Sequence, residues 1–186
     1  VHVCTAAVPA RLRCFDAEHA RITLAWPLPL IVGDRLLLRD PGRRLVVGGV
    51  HVLDAEPPPL KRRGDGNRRA RALAAMPLEG DVLVKVAERG AVAVEDLRRI
   101  GLLGPDATPP PQIRELGRWW VHQPSYDDWA RQLRVLVERD DQRDALTPGV
   151  SEGAARNALP APAGPFINRL ATDARLELHN GHIRLP

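Results

Sequence analysis

Residues 44–69 read RLVVGGVHVLDAEPPPLKRRGDGNRR and change character three times. The opening part, RLVVGGVHVLD, is β-branched and apolar around the pair Gly48-Gly49 and reads as a strand. Glycines inside a strand mark a bulge, a barrel corner or a close backbone approach, since they weaken a regular ladder and bring no side chain to pack. Pro57-Pro58-Pro59 follow. They lack the N–H that a sheet needs and restrict the residue before each of them, so this stretch favours an extended rod. Then comes positive charge: Lys61, Arg62, Arg63, Arg68, Arg69 and Arg71, with Asp65 the sole acid of residues 61–75. Strand, stiff spacer and basic run in that order predict the end of one domain and a linker to the next.

Upstream, the chain reads as strands. VHVCTAAVPARLRCF mixes β-branched residues with the turn-compatible Pro9, and ARITLAWPLPLI carries Ile22, Leu24 and Trp26 at a period of two. Gly33-Asp34 signals a turn before DRLLLRD, and Asp40-Pro41-Gly42 signals another after it. Short strands with tight turns and no helical stretch predict part of an antiparallel barrel. Three or four strands are few to close one, so the pattern leads us to expect a chain that begins within a domain.

Downstream, the period becomes helical. RRARALAAM is rich in helix formers, and Pro77 interrupts it. Leu78, Val82, Leu83 and Val86 predict a second helix over EGDVLVKVAERG, and AVAVEDLRRIGLL predicts a short extended piece leading into a three-turn helix over Val94, Leu97 and Ile100. GPDATPPP reads as loop. A strand is expected around Trp119–His122, then a helix from about Tyr126 to Arg139 capped near Ser125, and a chain turn over Leu146–Gly149. SEGAARNAL predicts a short helix capped by Ser151. The end of the chain reads helix, strand, Asn180-Gly181 turn, strand, and Asn-Gly is the strongest short-range hairpin signal. Helices followed by a β-hairpin make a winged-helix plan, a relative of helix-turn-helix. It is clear in 127–186 and looser in 70–124, where the wing is expected to be reduced to the WWVH strand.

The chain of 186 residues is 44% hydrophobic, an ordinary fraction for a folding sequence, and carries a formal charge of +4. Residues 1–60 and 76–186 are each nearly balanced, so the excess lies in 61–75, where a polyanion would be felt first. Arginine dominates there, and its planar fork suits phosphate. A solvated linker kept soluble by charge is the competing reading. No run is long enough for a transmembrane helix and no signal segment opens the chain, which points to the cytoplasm. Cys4 and Cys14 are two thiols and no disulfide scaffold.

Catalytic motifs are lacking. There is no GxxxxGK[ST] loop, no HExxH and no CxxC, and Gly48-Gly49 is followed by strand-like residues, not by a phosphate-cradling helix. His179 and His182 flank the Asn-Gly turn without further metal ligands. The sequence therefore predicts no enzyme, no metal and no cofactor within this chain. Trp119-Trp120 could stack on bases, but adjacent strand residues point to opposite faces, so packing is the simpler role.

At this point the segments VHVCTAAVPARLR, ARITLAWPLPLIVGDRLLLRDPG and VVGGVHVLDAEPPP together resemble the third domain of elongation factors of the Tu type. Among these they look most like the bacterial selenocysteine-specific factor. Gly33-Asp34, Leu38-Arg39-Asp40 and the run from Gly48-Gly49 to Leu53-Asp54 occupy the family's places, while Thr5 follows Cys4 where the family has glycine. LTPGVSEGAARNAL and FINRLATDARLELHNGHIRLP resemble its second winged-helix unit. The resemblance implies a mixed fold: a partial β-barrel over 1–58, a Pro-rich basic linker over 59–69, and winged-helix units over 70–124 and 125–186. It implies an internal piece of a monomeric factor that delivers selenocysteinyl-tRNA to the ribosome at UGA. GTP and magnesium would be held by a further domain, and the messenger hairpin by further winged helices. Two other functions compete. A DNA-binding regulator needs a basic recognition helix, and SEGAARNAL offers only Arg156 beside Glu152. A structural or protein-interaction arm would bind no polyanion.

Overall fold

The computed structural model describes residues 1–143 and 148–186. The turn expected over 146–149 reaches into 144–147, outside the described residues. The chain divides into two compact units, Val1–Val82 with Asp96–Asp106 and Leu83–Glu95 with Ala107–Pro186.

The first unit holds six short strands: β1 (His2–Val3), β2 (Ala6–Ala7), β3 (Ala10–Cys14), β4 (Ala20–Leu24), β5 (Arg35–Asp40) and β6 (Leu45–His51). All pair antiparallel, in a sheet ordered β2-β1-β5-β6 and a separate hairpin β3-β4, and neither closes on itself. At the paired glycines the ladder slips. Leu38 lies opposite Gly48 but Arg39 lies opposite Val46, so Val47 is the extra residue of a bulge. Gly33 turns the chain into β5 with φ 91°, and the Asp34 carboxylate accepts the N–H of Ile31 at 2.9 Å. Cys4 has φ 47°, a conformation that glycine adopts at least cost, and it occupies the place where the resemblance puts a glycine before Thr5. Both cysteines are free and exposed. Burial is thin in this sheet. Val8, Val32 and Leu36 are buried, whereas Leu45, Val46 and Val47 are each more than half exposed, as is Trp26, expected on a packed face.

Helix α1 (Asp65–Ala74) begins inside the stretch expected as linker. Leu78 precedes α2 (Val82–Arg89) and is exposed, while Val86 is fully buried. β7 (Ala91–Ala93) leads into α3 (Val94–Arg99), shorter than the three turns its apolar spacing suggests. Gly101 stops it with φ 79°, and the Leu102 N–H bonds the Leu97 carbonyl at 2.9 Å, a glycine-type C-terminal cap. β8 (Ile113–Leu116) is not legible as a strand in the sequence, being short and half charged; pairing with β9 (Trp119–His122) creates it.

Helix α4 runs over Gln123–Arg143, longer at both ends than the periodicity predicts. Pro124 is tolerated in the first turn, where no N–H is required, and the i,i+3 and i,i+4 pairs Arg143–Asp140 and Arg134–Glu138 support the last turns. β10 (Val150–Ser151), α5 (Glu152–Ala158), a 3-10 turn (Ala161–Phe166), α6 (Ile167–Asp173), β11 (Glu177–His179) and β12 (His182–Arg184) complete the chain. Ser151 caps α5 as expected, accepting the Ala154 N–H at 3.2 Å. Asn180 and Gly181 have φ 49° and 75°, the signs of a type I′ turn, and join His179 to its directly opposite partner His182.

The two small sheets share one order, first strand–third strand–second strand: β7-β9-β8 and β10-β12-β11. Each first strand is preceded by a left-handed glycine, Gly90 (φ 77°) and Gly149 (φ 97°). The winged-helix plan is thus written twice, with a full β8–β9 wing in the first copy in place of the reduced one expected. One core joins Ala91 and Val121 to Tyr126, Trp129, Leu133, Phe166, Ile167, Leu170, Leu176 and Ile183, with Leu136 packed at its edge. Trp129 stacks on Phe166, and Trp119 meets the same ring edge-on. Trp120, on the opposite face of β9, is 2% exposed, so packing claims both tryptophans.

Candidate nucleic-acid interface

The basic run folds into a turn around its one acid. Asp65 is the first residue of α1, and one oxygen, Oδ2, accepts the backbone N–H groups of Lys61 at 2.8 Å and Arg62 at 2.6 Å. The other oxygen pairs with the Arg68 guanidinium. Gly64, with φ 86°, supplies the left-handed step just before the helix, and the Asp65 N–H returns to the Arg62 carbonyl at 3.2 Å. The Arg62 N–H, together with Arg68 and the Lys61 N–H, holds the Asp65 carboxyl below the usual carboxylate value. Lys61, Arg62 and Arg63 are exposed around this turn, as are Arg68 and Arg71 on the helix.

Arg69 stands apart from the other five. Its side chain is 6% exposed and ion-paired to Asp54, itself 6% exposed. A guanidinium in that position serves the interior of the unit and cannot reach an external phosphate. The helical period explains the difference: Arg69 shares the inward face of α1 with Ala70 and Leu73, all buried. The Pro-rich stretch beside it is also fastened. Arg21 on β4 donates Nη2 to the Pro58 carbonyl, and Arg99 pairs with Glu56 at 2.6 Å. The prolines therefore lie against their own unit and do not form the free rod that their sequence suggests.

The hairpin β3-β4 adds residues that the net charge of the region conceals. Arg13 is directly opposite Arg21, and Arg11 is opposite Thr23, so all four side chains share one face. Neither strand contains an acid. Like charges set opposite each other in a ladder destabilise it unless something offsets them. The turn between the two strands does hold an acid, but Asp16 is occupied by the N–H groups of Glu18 and His19 and by the His19 ring. Arg21 Nε is buried without a hydrogen-bond partner. The alternation Arg-Leu-Arg at 11–13 against Arg21 is the sequence signal, hidden because residues 1–60 balance overall.

Among the described residues, Arg11, Arg13, Lys61, Arg62, Arg63 and Arg71 form no ion pair with a carboxylate. In the second unit Arg114, Arg131, Arg134, Arg156, Arg169 and Arg184 pair with acids, and among the described residues there Arg118, Arg139 and Arg175 have no carboxylate partner. Uncommitted positive charge thus concentrates on the first unit, and it can take up several phosphates without breaking internal pairs.

In winged-helix order the third helix, not the second, precedes the wing and reads DNA. That helix is α6, and SEGAARNAL, now α5, does not hold this place. α6 exposes one base, Arg169, whose Nε lies 3.2 Å from the Asp173 carboxylate. Asp173 also accepts the Tyr126 hydroxyl and the Arg114 guanidinium, each at 3.0 Å. The end of α6 is therefore engaged inside its own unit. No cluster of three or more metal-ligating side chains occurs among the described residues, and no helix among them is long and apolar enough to cross a membrane.

Antiparallel strands followed by two small three-stranded sheets with their helices are consistent with an elongation-factor-Tu-like and winged-helix architecture, with no sheet closed into a barrel. The family described as the β-barrel domain of the selenocysteine-specific elongation factor matches residues 1–59. The selenocysteine-specific elongation factor of Escherichia coli (strain K12) is 26% identical over 197 residues, covering all of this chain and 32% of that protein. The crystal structure of the bacterial selenocysteine-specific elongation factor EF-Sec superposes with a TM-score of 0.70 at 16% identity, over 95% of this chain and 29% of that one. The chain thus spans about a third of the length of the relatives it matches.

Proposed function

We propose that this chain works as part of a factor that delivers selenocysteinyl-tRNA to the ribosome for the recoding of UGA. In this reading residues 1–58 are part of a Tu-type β-barrel, 59–69 are the basic segment beyond it, and 70–124 and 125–186 are winged-helix spacers. Nucleotide switching and the messenger grip belong to parts of such a factor beyond these residues. The observation that carries the reading is a coincidence: the unit containing the family's barrel segment also holds most of the positive charge that is uncommitted to acids among the described residues.

Lys61, Arg62, Arg63, Arg68 and Arg71 then act as a diffuse patch that positions the chain on RNA phosphates and selects no base sequence. Arg69, included in the patch on sequence grounds, is left out because it is buried against Asp54. A DNA-reading regulator is disfavoured by an α6 whose single exposed base is paired with Asp173.

The test compares wild type with a variant carrying all five exposed residues as glutamine. Binding of labelled tRNA and of an unrelated RNA is titrated at several salt concentrations. The variant should bind both more weakly, with a salt slope smaller by about 0.7–0.9 for each phosphate that it no longer neutralises. Identical slopes for the two proteins would refute the contact. A weakening confined to one RNA would refute its sequence-independent character.

A further inference from the structure

The single acid in the basic run looks, from composition, like a residue that dilutes the patch. Its geometry says otherwise. Asp65 Oδ2 gathers the N–H groups of two consecutive residues, Lys61 and Arg62, and Oδ1 holds Arg68. Those three are members of the exposed patch, and one carboxylate fixes the backbone of two and the side chain of the third. Without it the stretch from Leu60 to Gly64 has few fixed points. Gly64 is left-handed, and the proline run ends at Pro59. The carboxylate also sits in the first turn of α1, where a negative charge is favoured by the helix dipole.

We infer that Asp65 is a positioning residue for polyanion binding: it pre-orders Lys61, Arg62 and Arg68 into one turn, and that ordering outweighs the negative charge it adds. This inference rests on the RNA-contacting role of the patch. Its physical content is an entropy argument. A flexible loop of long cationic side chains must be ordered when it meets phosphate, and that ordering costs conformational entropy. A loop already turned by Asp65 avoids part of that cost.

The two explanations of Asp65 predict opposite signs for one substitution. Asp65→Ala removes the charge and the acceptor together. Asp65→Asn removes the charge but keeps a carbonyl oxygen that can accept the Lys61 and Arg62 N–H groups. If Asp65 only dilutes the patch, both variants bind RNA more tightly and by similar factors. If it positions the patch, Asp65→Ala binds roughly two- to tenfold more weakly than wild type, whereas Asp65→Asn binds as tightly as wild type or tighter.

The experiment measures tRNA affinity at several salt concentrations for wild type, Asp65→Ala, Asp65→Asn and the five-glutamine variant, all in the full chain. Amide hydrogen exchange at Lys61 and Arg62 is recorded alongside. The inference expects slow exchange in wild type and Asp65→Asn, fast exchange in Asp65→Ala, and a rescue of affinity by asparagine. Equal exchange in all three proteins overturns it, and so does an Asp65→Ala variant that binds as well as Asp65→Asn. If instead the five-glutamine variant binds like wild type, the RNA-contacting role itself fails and the positioning role falls with it, even where exchange shows that Asp65 orders the turn.

Discussion

Asp54 and Arg69 form an ion pair in which each side chain is 6% exposed. Asp54 lies just after β6, and Arg69 lies on the inward face of α1, so the pair ties the last strand to the first helix across the Pro-rich stretch. Its meaning is mechanical, since a buried pair is no evidence of net stabilisation by itself.

Breaking that pair on one side should nonetheless be costly, because the surviving charge is left buried. Arg69→Ala is expected to lower the stability of the first unit by about 3–5 kcal/mol, read from denaturant unfolding. Asp54→Ala with Arg69→Ala together should cost clearly less than the sum of the single changes. Strict additivity would show that the two groups do not depend on each other. Where Arg69→Gln still folds, its RNA salt slope should equal that of wild type, since the residue does not face solvent.

In the second unit, Gly90 faces the indole of Trp129. A Cβ at position 90 would lie 2.4 Å from Trp129 Cζ2, and φ there is +77°. Gly90→Ala must strain the backbone by about 1–2 kcal/mol and also displace a ring stacked on Phe166, with overpacking adding about 1–3 kcal/mol. Trp129→Ala should cost about 3–5 kcal/mol. The informative protein is the double variant. Removing the indole removes the clash, so Gly90→Ala added to Trp129→Ala should cost little beyond the backbone strain. A double variant whose destabilisation equals the sum of both singles would show that the ring does not sense position 90.

Much of this is legible in the sequence, and the exceptions have physical causes. The bulge at Gly48-Gly49, the turn at Gly33-Asp34, the Ser151 cap and the Asn180-Gly181 wing turn are local: a residue type and its neighbours decide each one. β8 escapes the sequence pattern because Arg114 and Glu115 hide it, and only pairing with β9 makes it a strand. α3 looks longer in the sequence than it is because apolar spacing continues to Ile100, while Gly101 decides where the helix stops. The basic run is legible as charge but not as geometry. Nothing in RRGDGNRRAR separates Arg69, turned inward to Asp54, from Arg68, turned outward to Asp65. Arg11 and Arg13 do not stand out because regional net charge averages them with acids held elsewhere, and register alone reveals that they share a face with Arg21.

The last prediction concerns Tyr126, the single tyrosine of the chain. Its ring is 1% exposed, its hydroxyl donates to Asp173 at 3.0 Å, and the Arg114 guanidinium lies 4.8 Å from the ring centroid. Burial, and then the hydrogen bond and negative charge of Asp173, push its pKa up from 10.0 to about 12, with the nearby arginines opposing the shift. The sign follows from the neutral form being the favoured one in the folded protein. This contribution is fully present below pH 10, the value in the unfolded chain, and is lost as pH rises from there towards 12. A displacement of that size corresponds to roughly 2–3 kcal/mol. Because one tyrosine gives the whole phenolate signal, absorbance near 295 nm reports Tyr126 alone. Its midpoint should lie near 12 in the folded protein and near 10 in denaturant. Stability measured across the same window should fall in wild type and fall less in Tyr126→Phe, which has no proton to lose there. Asp173→Asn should move the folded midpoint downward, since it removes the charge that opposes the phenolate. A folded midpoint at 10, or equal pH dependence in wild type and Tyr126→Phe, would show that the hydroxyl is open to water and not held between α4 and α6.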